Sequence, residues 1–171
     1  LNPAALKGSA VKKETSTIYG ATEWILKNGV KVVVLPTDYK KDQVTMNLKM
    51  KGGESLIATE DLPSFEDNVW TLFQRNTGVS KFPSSQLSKM LAGKAVSTSP
   101  YISSISHGIT ASSSPKDLET AFQLMYLEFT DPRFDEDEFS IGMDQIKAVY
   151  PNIKTQPNFI FQNEYTRTMY G

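Results

Sequence analysis

Histidine is the side chain that general-base and zinc chemistry share near neutral pH, and this sequence has one, His107. A catalytic zinc takes about three protein ligands, and with no cysteine in the chain thiolates cannot supply them. His107 falls in a β-prone stretch with Ile105 and Ile109 on its face, so it reads as a packed or surface residue rather than a ligand. Its neighbour Ser106 suggests a nucleophile beside a base. Adjacent strand residues, however, point to opposite faces and do not hydrogen-bond side chain to side chain, which disfavours a serine hydrolase. Carboxylates cluster at Glu60-Asp61, Glu66-Asp67 and residues 135–138. Each cluster sits in or beside the first turn of an expected helix, where the macrodipole favours negative charge, so capping is preferred to metal binding. Residues 131–138 lack the turn glycine of a calcium loop, and Gly52-Gly53 lacks the lysine and hydroxyl of a phosphate loop. No residue is therefore assigned as catalytic, cofactor-binding or metal-binding.

The chain that must position these groups has 171 residues, 39% of them hydrophobic, enough for one domain with a sizeable core. Eighteen basic residues against nineteen acidic ones give a net charge of -1, so there is no electrostatic footprint for a nucleic-acid partner. No apolar run approaches the roughly 20 residues of a spanning helix, and residues 1–20 lack the apolar centre of a signal peptide. A soluble piece with no membrane span is expected, periplasmic or cytoplasmic. The absence of cysteine leaves the redox compartment undetermined.

Residues 1–22 are polar and read as a linker or lead. Residues 23–27 and 30–35 flank Asn28-Gly29, a pair that tolerates positive φ at both central positions of a type I′ turn, and predict a β-hairpin. From 44 to 51 the residues alternate strictly: Val44, Met46, Leu48 and Met50 against Thr45, Asn47, Lys49 and Lys51. That strand should have one buried face and one wet face, and Gly52-Gly53 should end it. A helix is expected from Ser64, with Phe65, Val69, Leu72 and Phe73 in one stripe, and a shorter one from Ser84 or Ser85 through Leu87, Met90 and Leu91 to Gly93. Residues 95–99 and 101–112 suggest a second hairpin.

Ser114-Pro115 supplies an N-cap and an N1 proline to a helix whose Leu118, Ala121, Phe122, Met125 and Phe129 recur at helical spacing. The next helix opens with a capping box, Asp135 with Glu138, stapled by Phe134 against Phe139, and should stop at Pro151. A last helical segment from Pro157 carries Phe161, Tyr165 and Met169 on an unmatched face. The expected fold class is α+β, an antiparallel sheet with helices packed on one face, in a single domain over 23–171 that looks truncated at its C-terminal end.

Several stretches resemble the insulinase/pitrilysin family of zinc metallopeptidases. Residues 20–34, with Leu26-Lys27-Asn28-Gly29-Val30-Lys31-Val32-Val33, are similar to the family's opening hairpin. Thr37-Asp38-Tyr39 and Lys51-Gly52-Gly53-Glu54-Ser55-Leu56 continue the likeness into its next strand. Ser113-Ser114-Pro115-Lys116-Asp117 and Phe129-Thr130-Asp131-Pro132-Arg133-Phe134-Asp135 resemble the start of a later helix and an interhelix turn. Active members carry His-x-x-Glu-His on the helix after the Gly-Gly strand, two histidines holding zinc and the glutamate activating its water. Here that helix reads Leu62-Pro63-Ser64-Phe65-Glu66-Asp67-Asn68-Val69-Trp70, without histidine.

The resemblance thus implies a non-catalytic, second-half domain forming part of a peptide-enclosing chamber. Zinc is expected in the catalytic half, on the same parent chain or a partner subunit, with a peptide as substrate. The family's substrate-orienting arginine and tyrosine lie beyond the end of this sequence, so no functional residue is carried over. The alternative is a purely structural or protein-binding member of the same fold.

Overall fold

The computed structural model describes residues 8–62 and 78–170. The helix expected from Ser64, with Phe65, Val69, Leu72, Phe73 and the Glu66-Asp67 pair, lies outside the described residues.

Three strands, β1 (Val11–Ser16), β2 (Thr22–Leu26) and β3 (Lys31–Val34), form an antiparallel sheet in the order β1-β2-β3. The β2–β3 hairpin forms as expected, with Trp24 opposite Val32 and Ile25 opposite Lys31. Its turn differs from the expected type I′. Only Gly29 has positive φ, at 88°, while the Gly29 N–H donates to Leu26 O at 2.9 Å and the Leu26 N–H to Val30 O at 2.8 Å. This is the three-residue loop in which a type I turn is followed by a left-handed glycine, a bulge that suits strand twist as well as the two-residue turn does. The Asn28 carbonyl oxygen Oδ1 accepts from the Val30 N–H at 3.2 Å, a local bond that holds Asn28 without positive φ.

The expected linker over 1–22 needs correction, because β1 lies within it and pairs with β2 from Val11 opposite Leu26 to Ser16 opposite Thr22. Every residue of β1 is exposed, so its polar composition satisfies an edge strand as well as a linker.

A second antiparallel sheet holds β4 (Val44–Lys51), β5 (Val96–Ile102) and β6 (Ser106–Ser113) in the order β4-β6-β5. The alternation expected for β4 is present: Val44, Met46, Leu48 and Met50 are half-buried and their neighbours exposed. Pairing registers place Met46, Ala111 and Thr98 in one row, Leu48, Ile109 and Pro100 in the next, and Met50, His107 and Ile102 in the last. Because strand residues alternate faces, these rows share one face.

Ser114 and Pro115 open a 3-10 turn, Pro115–Asp117, before a helix proper begins at Leu118. Asp117 is buried, accepts from the Ser114 hydroxyl at 2.7 Å and from the Ala95 N–H at 2.9 Å, and so ties this turn to the start of β5. Those two bonds, the Ser114 bond first, hold the Asp117 carboxyl below its usual range.

The described helices are α1 (Ser84–Leu91), α2 (Leu118–Thr130), α3 (Glu136–Lys154) and α4 (Pro157–Tyr170). Met125 of α2 packs with Ile109 and Ala111, and Met46 and Leu48 close around that cluster. The buried side of α2 is Thr120, Ala121, Leu124 and Met125, whereas Phe122 and Phe129 are 56% and 55% exposed. The buried stripe is thus rotated from the expected one, keeping Ala121 and Met125 and adding Thr120 and Leu124, while the two rings lie outside. Asp135 caps α3, its Oδ1 accepting the Glu138 N–H at 3.1 Å. That bond, then the Arg133 guanidinium, lowers the Asp135 pKa. The reciprocal arm of a capping box is absent, since the Glu138 Oε1 accepts from the Ser84 hydroxyl at 3.5 Å instead. Pro151 does not stop α3 but lies inside it. Near the C-terminus a proline costs one backbone bond and a local clash, which the last turn tolerates. In α4 Phe161, Tyr165 and Met169 remain 64%, 47% and 58% exposed, so that face is not packed internally.

The fold is accordingly α+β, with two small antiparallel sheets in place of the one expected. Among the described residues no helix is long and apolar enough to cross a membrane.

Candidate functional site

The row Met50–His107–Ile102 ends the second sheet, and beside it the chain turns sharply after β4. Gly53, at φ 69°, begins a 3-10 turn, Gly53–Leu56, laid against the β5–β6 connection. Gly52 N–H, Glu54 N–H and Ser55 N–H donate to the carbonyls of Ile105, Ser103 and Ser104 at 2.9, 3.0 and 2.9 Å. A Cβ on Gly53 would lie 1.9 Å from Ser103 O and 2.7 Å from Ser106 N. Only glycine admits this approach.

The Gly53 N–H donates to His107 Nδ1 at 3.0 Å. Accepting there places the proton of the neutral imidazole on Nε2. His107 thus anchors the turn after β4 to β6, which is the packed reading. Ser106 lies on the opposite face of β6 and is itself 8% exposed, so the two make no nucleophile–base pair. Ile105 does not share a strand face with His107, because β6 begins at Ser106.

Between this end of the sheet and the last turn of α2 lies a crevice of about 370 Å³. Met50, Ile57, Pro100, Ile102, Ile109 and Phe129 give it aliphatic and aromatic walls, and Tyr101, His107 and Glu128 its titratable groups. Glu128 Oε1 accepts a short hydrogen bond from the Thr98 hydroxyl across the helix–sheet interface. Its Oε2 is out of contact with water and has no hydrogen-bond partner. Burial pushes the Glu128 carboxyl up to about 7, and the Thr98 bond offsets only part of that rise. Sequence reasoning does not single out Glu128, although its position three residues after Met125 and four after Leu124 puts it on the buried side of α2.

The described residues bring together no ligand set for a zinc ion. His107 is the single histidine of the sequence, its Nδ1 is occupied by Gly53, and among the described residues no group of three or more His, Cys, Asp or Glu side chains converges.

Comparison with solved structures places the fold of the whole chain. Solved proteases of the insulinase/pitrilysin type share its fold, in agreement with the resemblance of the sequence. One is the ferredoxin protease FusC, solved as a point mutant in complex with Arabidopsis ferredoxin: TM-score 0.78, 18% identity, covering 99% of this chain and 19% of FusC. Another is the periplasmic protease PqqL from Escherichia coli, at TM-score 0.77 and 16% identity, covering 99% of this chain and 18% of PqqL. The chain spans about a fifth of the length of these proteases. No protein-family model and no curated protein matches the sequence.

Proposed function

We propose that this chain is a non-catalytic domain of an insulinase/pitrilysin-type zinc endopeptidase, one that forms part of the chamber enclosing a peptide. The observation that carries the reading is the protease fold over 99% of a chain whose single histidine is spent on a backbone N–H. FusC was captured with a protein, ferredoxin, which fits a role for such domains in walling a large substrate. In this reading the helices cover one face of a sheet and leave the other to neighbouring domains. Zinc and the water-activating glutamate belong to a catalytic half bearing His-x-x-Glu-His, in the same parent chain or in a partner subunit.

The test is co-expression with the His-x-x-Glu-His polypeptide encoded in the same or an adjacent reading frame. Hydrolysis of an unstructured peptide is expected from the two together and from neither alone. Full activity of the catalytic polypeptide without this chain overturns the chamber role. It would favour the alternative, a structural or protein-binding member of the fold.

A further inference from the structure

The second sheet has two faces of opposite character. Met125 of α2 packs on the apolar one, whereas on the other Asn47, Thr110 and Ser99 form one row and Lys49, Gly108 and Tyr101 the next. This second face is open: Asn47, Lys49, Lys51, Ser99 and Thr110 are all exposed. The Tyr101 hydroxyl donates to Asn47 Oδ1 at 3.2 Å and so lays the ring across Gly108, where a Cβ would lie 3.0 Å from that hydroxyl. The three strands contain no aspartate or glutamate, and Lys49 and Lys51 belong to none of the ion pairs among the described residues. The face therefore carries two unpaired positive charges, both reachable from water, on a flat polar ground.

Lys49 and Lys51 are two residues apart on β4, so their side chains leave the same face with a spacing of about 7 Å. Alternate residues of any extended peptide have that same spacing. A peptide laid along β4 thus brings carboxylates at i and i+2 onto both ammonium groups, whereas carboxylates on adjacent residues point to opposite sides and only one arrives. We infer that the polar face of the second sheet binds an extended acidic peptide segment with carboxylates at alternate residues, Lys49 and Lys51 taking their charges. The inference rests on the chamber reading for its role: the peptide lies between this face and the neighbouring domain, and the substrates so favoured are acidic ones.

The experiment is a titration of the 171-residue chain at neutral pH and low ionic strength, followed by amide NMR shifts of Asn47, Lys49, Lys51 and Gly108. The probes are Ac-Ala-Glu-Ala-Glu-Ala-NH2, its isomer Ac-Ala-Ala-Glu-Glu-Ala-NH2 of equal charge, and the neutral Ac-Ala-Gln-Ala-Gln-Ala-NH2. Saturable shifts are expected with the alternating glutamate peptide. At about a factor of three for each exposed ion pair, the isomer, which forms one pair, should bind about threefold more weakly and the glutamine peptide, which forms neither, about tenfold. Lys49→Gln combined with Lys51→Gln should erase both differences, and the two side chains are exposed, so the fold does not depend on them. Equal binding of the alternating glutamate and glutamine peptides, equal binding of the two glutamate isomers, or no saturable shift with any probe overturns the inference. Those outcomes leave the chamber reading standing, because it is decided by hydrolysis with the catalytic polypeptide; failure of that hydrolysis with acidic-peptide binding intact overturns the chamber reading alone.

Discussion

Glu128 makes the stability of this chain depend on pH in a direction opposite to that of a salt-bridged carboxylate. Its carboxyl is pushed from an ordinary 4.5 up to about 7 by burial. Below about pH 4.5 it is protonated in folded and unfolded chains alike and contributes no pH dependence. Between 4.5 and about 7 the unfolded chain releases the proton first, binds fewer protons than the folded chain, and is favoured progressively as pH rises. Above about 7 the cost is complete, and at about 1.4 kcal/mol per pH unit the interval amounts to at most about 3.5 kcal/mol. Glu128→Gln keeps an acceptor for the Thr98 hydroxyl and removes the titration. Urea unfolding of both chains at about pH 4.5, 6 and 8 isolates the effect, because every other carboxylate cancels in the difference between them. The variant should gain on the parent chain as pH rises, by up to about 3.5 kcal/mol between the extremes. A difference that stays flat across the range, or grows toward low pH, refutes the claim that Glu128 is held in a desolvated crevice.

Leu48→Asp places an unpaired charge beside Ile109, Ala111 and Met125 and should destabilise by about 3 kcal/mol, whereas Lys49→Asp on the exposed face should change stability by under about 0.5 kcal/mol; urea melts compare them, and equal losses would contradict the half-buried strand. Gly53→Ala meets backbone atoms of Ser103 and Ser106 and should cost about 2 kcal/mol or more. Gly29→Ala, with open space around its Cβ, should cost only the left-handed strain of about 1 kcal/mol, and thermal melts that rank them the other way would discredit the docked turn. Metal analysis after dialysis should find no stoichiometric zinc in the chain; about one tightly bound zinc per chain would overturn the non-catalytic reading.

Much of the local structure is legible in the sequence because local rules govern it. The Asn28-Gly29 hairpin and the Asp135 cap rest on interactions within a few residues, and the β4 alternation is written in consecutive residue types even though β6 and α2 bury its apolar face; each forms. Expectation and structure part where a distant partner decides the outcome. β1 is a strand because β2 offers its edge, not because Lys12, Lys13 and Glu14 favour one. The expected α2 stripe runs through Phe122 and Phe129 since rings dominate any hydrophobic tally, yet of that stripe it is Ala121 and Met125 that are buried, together with Thr120 and Leu124, and Met125 packs with Ile109 and Ala111. Pro151 reads as a stop although one proline in a last turn removes little.

The same distinction separates what can be read of the site from what cannot. That this chain alone holds no zinc centre of the family's kind follows from counting, since one histidine cannot supply two histidine ligands wherever it folds. Glu128 obeys no such count. In sequence it is one carboxylate among many, and a helix places an acidic residue against a sheet without any mark in its neighbours. Its raised pKa arises when Thr98, from a different strand, takes one oxygen and the crevice shelters the other. Exclusion of a two-histidine site is therefore a property of composition, whereas a buried carboxylate with a raised pKa is a product of tertiary contact. For a chain with so few histidines, new chemistry must be sought among ordinary residues that the fold has placed out of water.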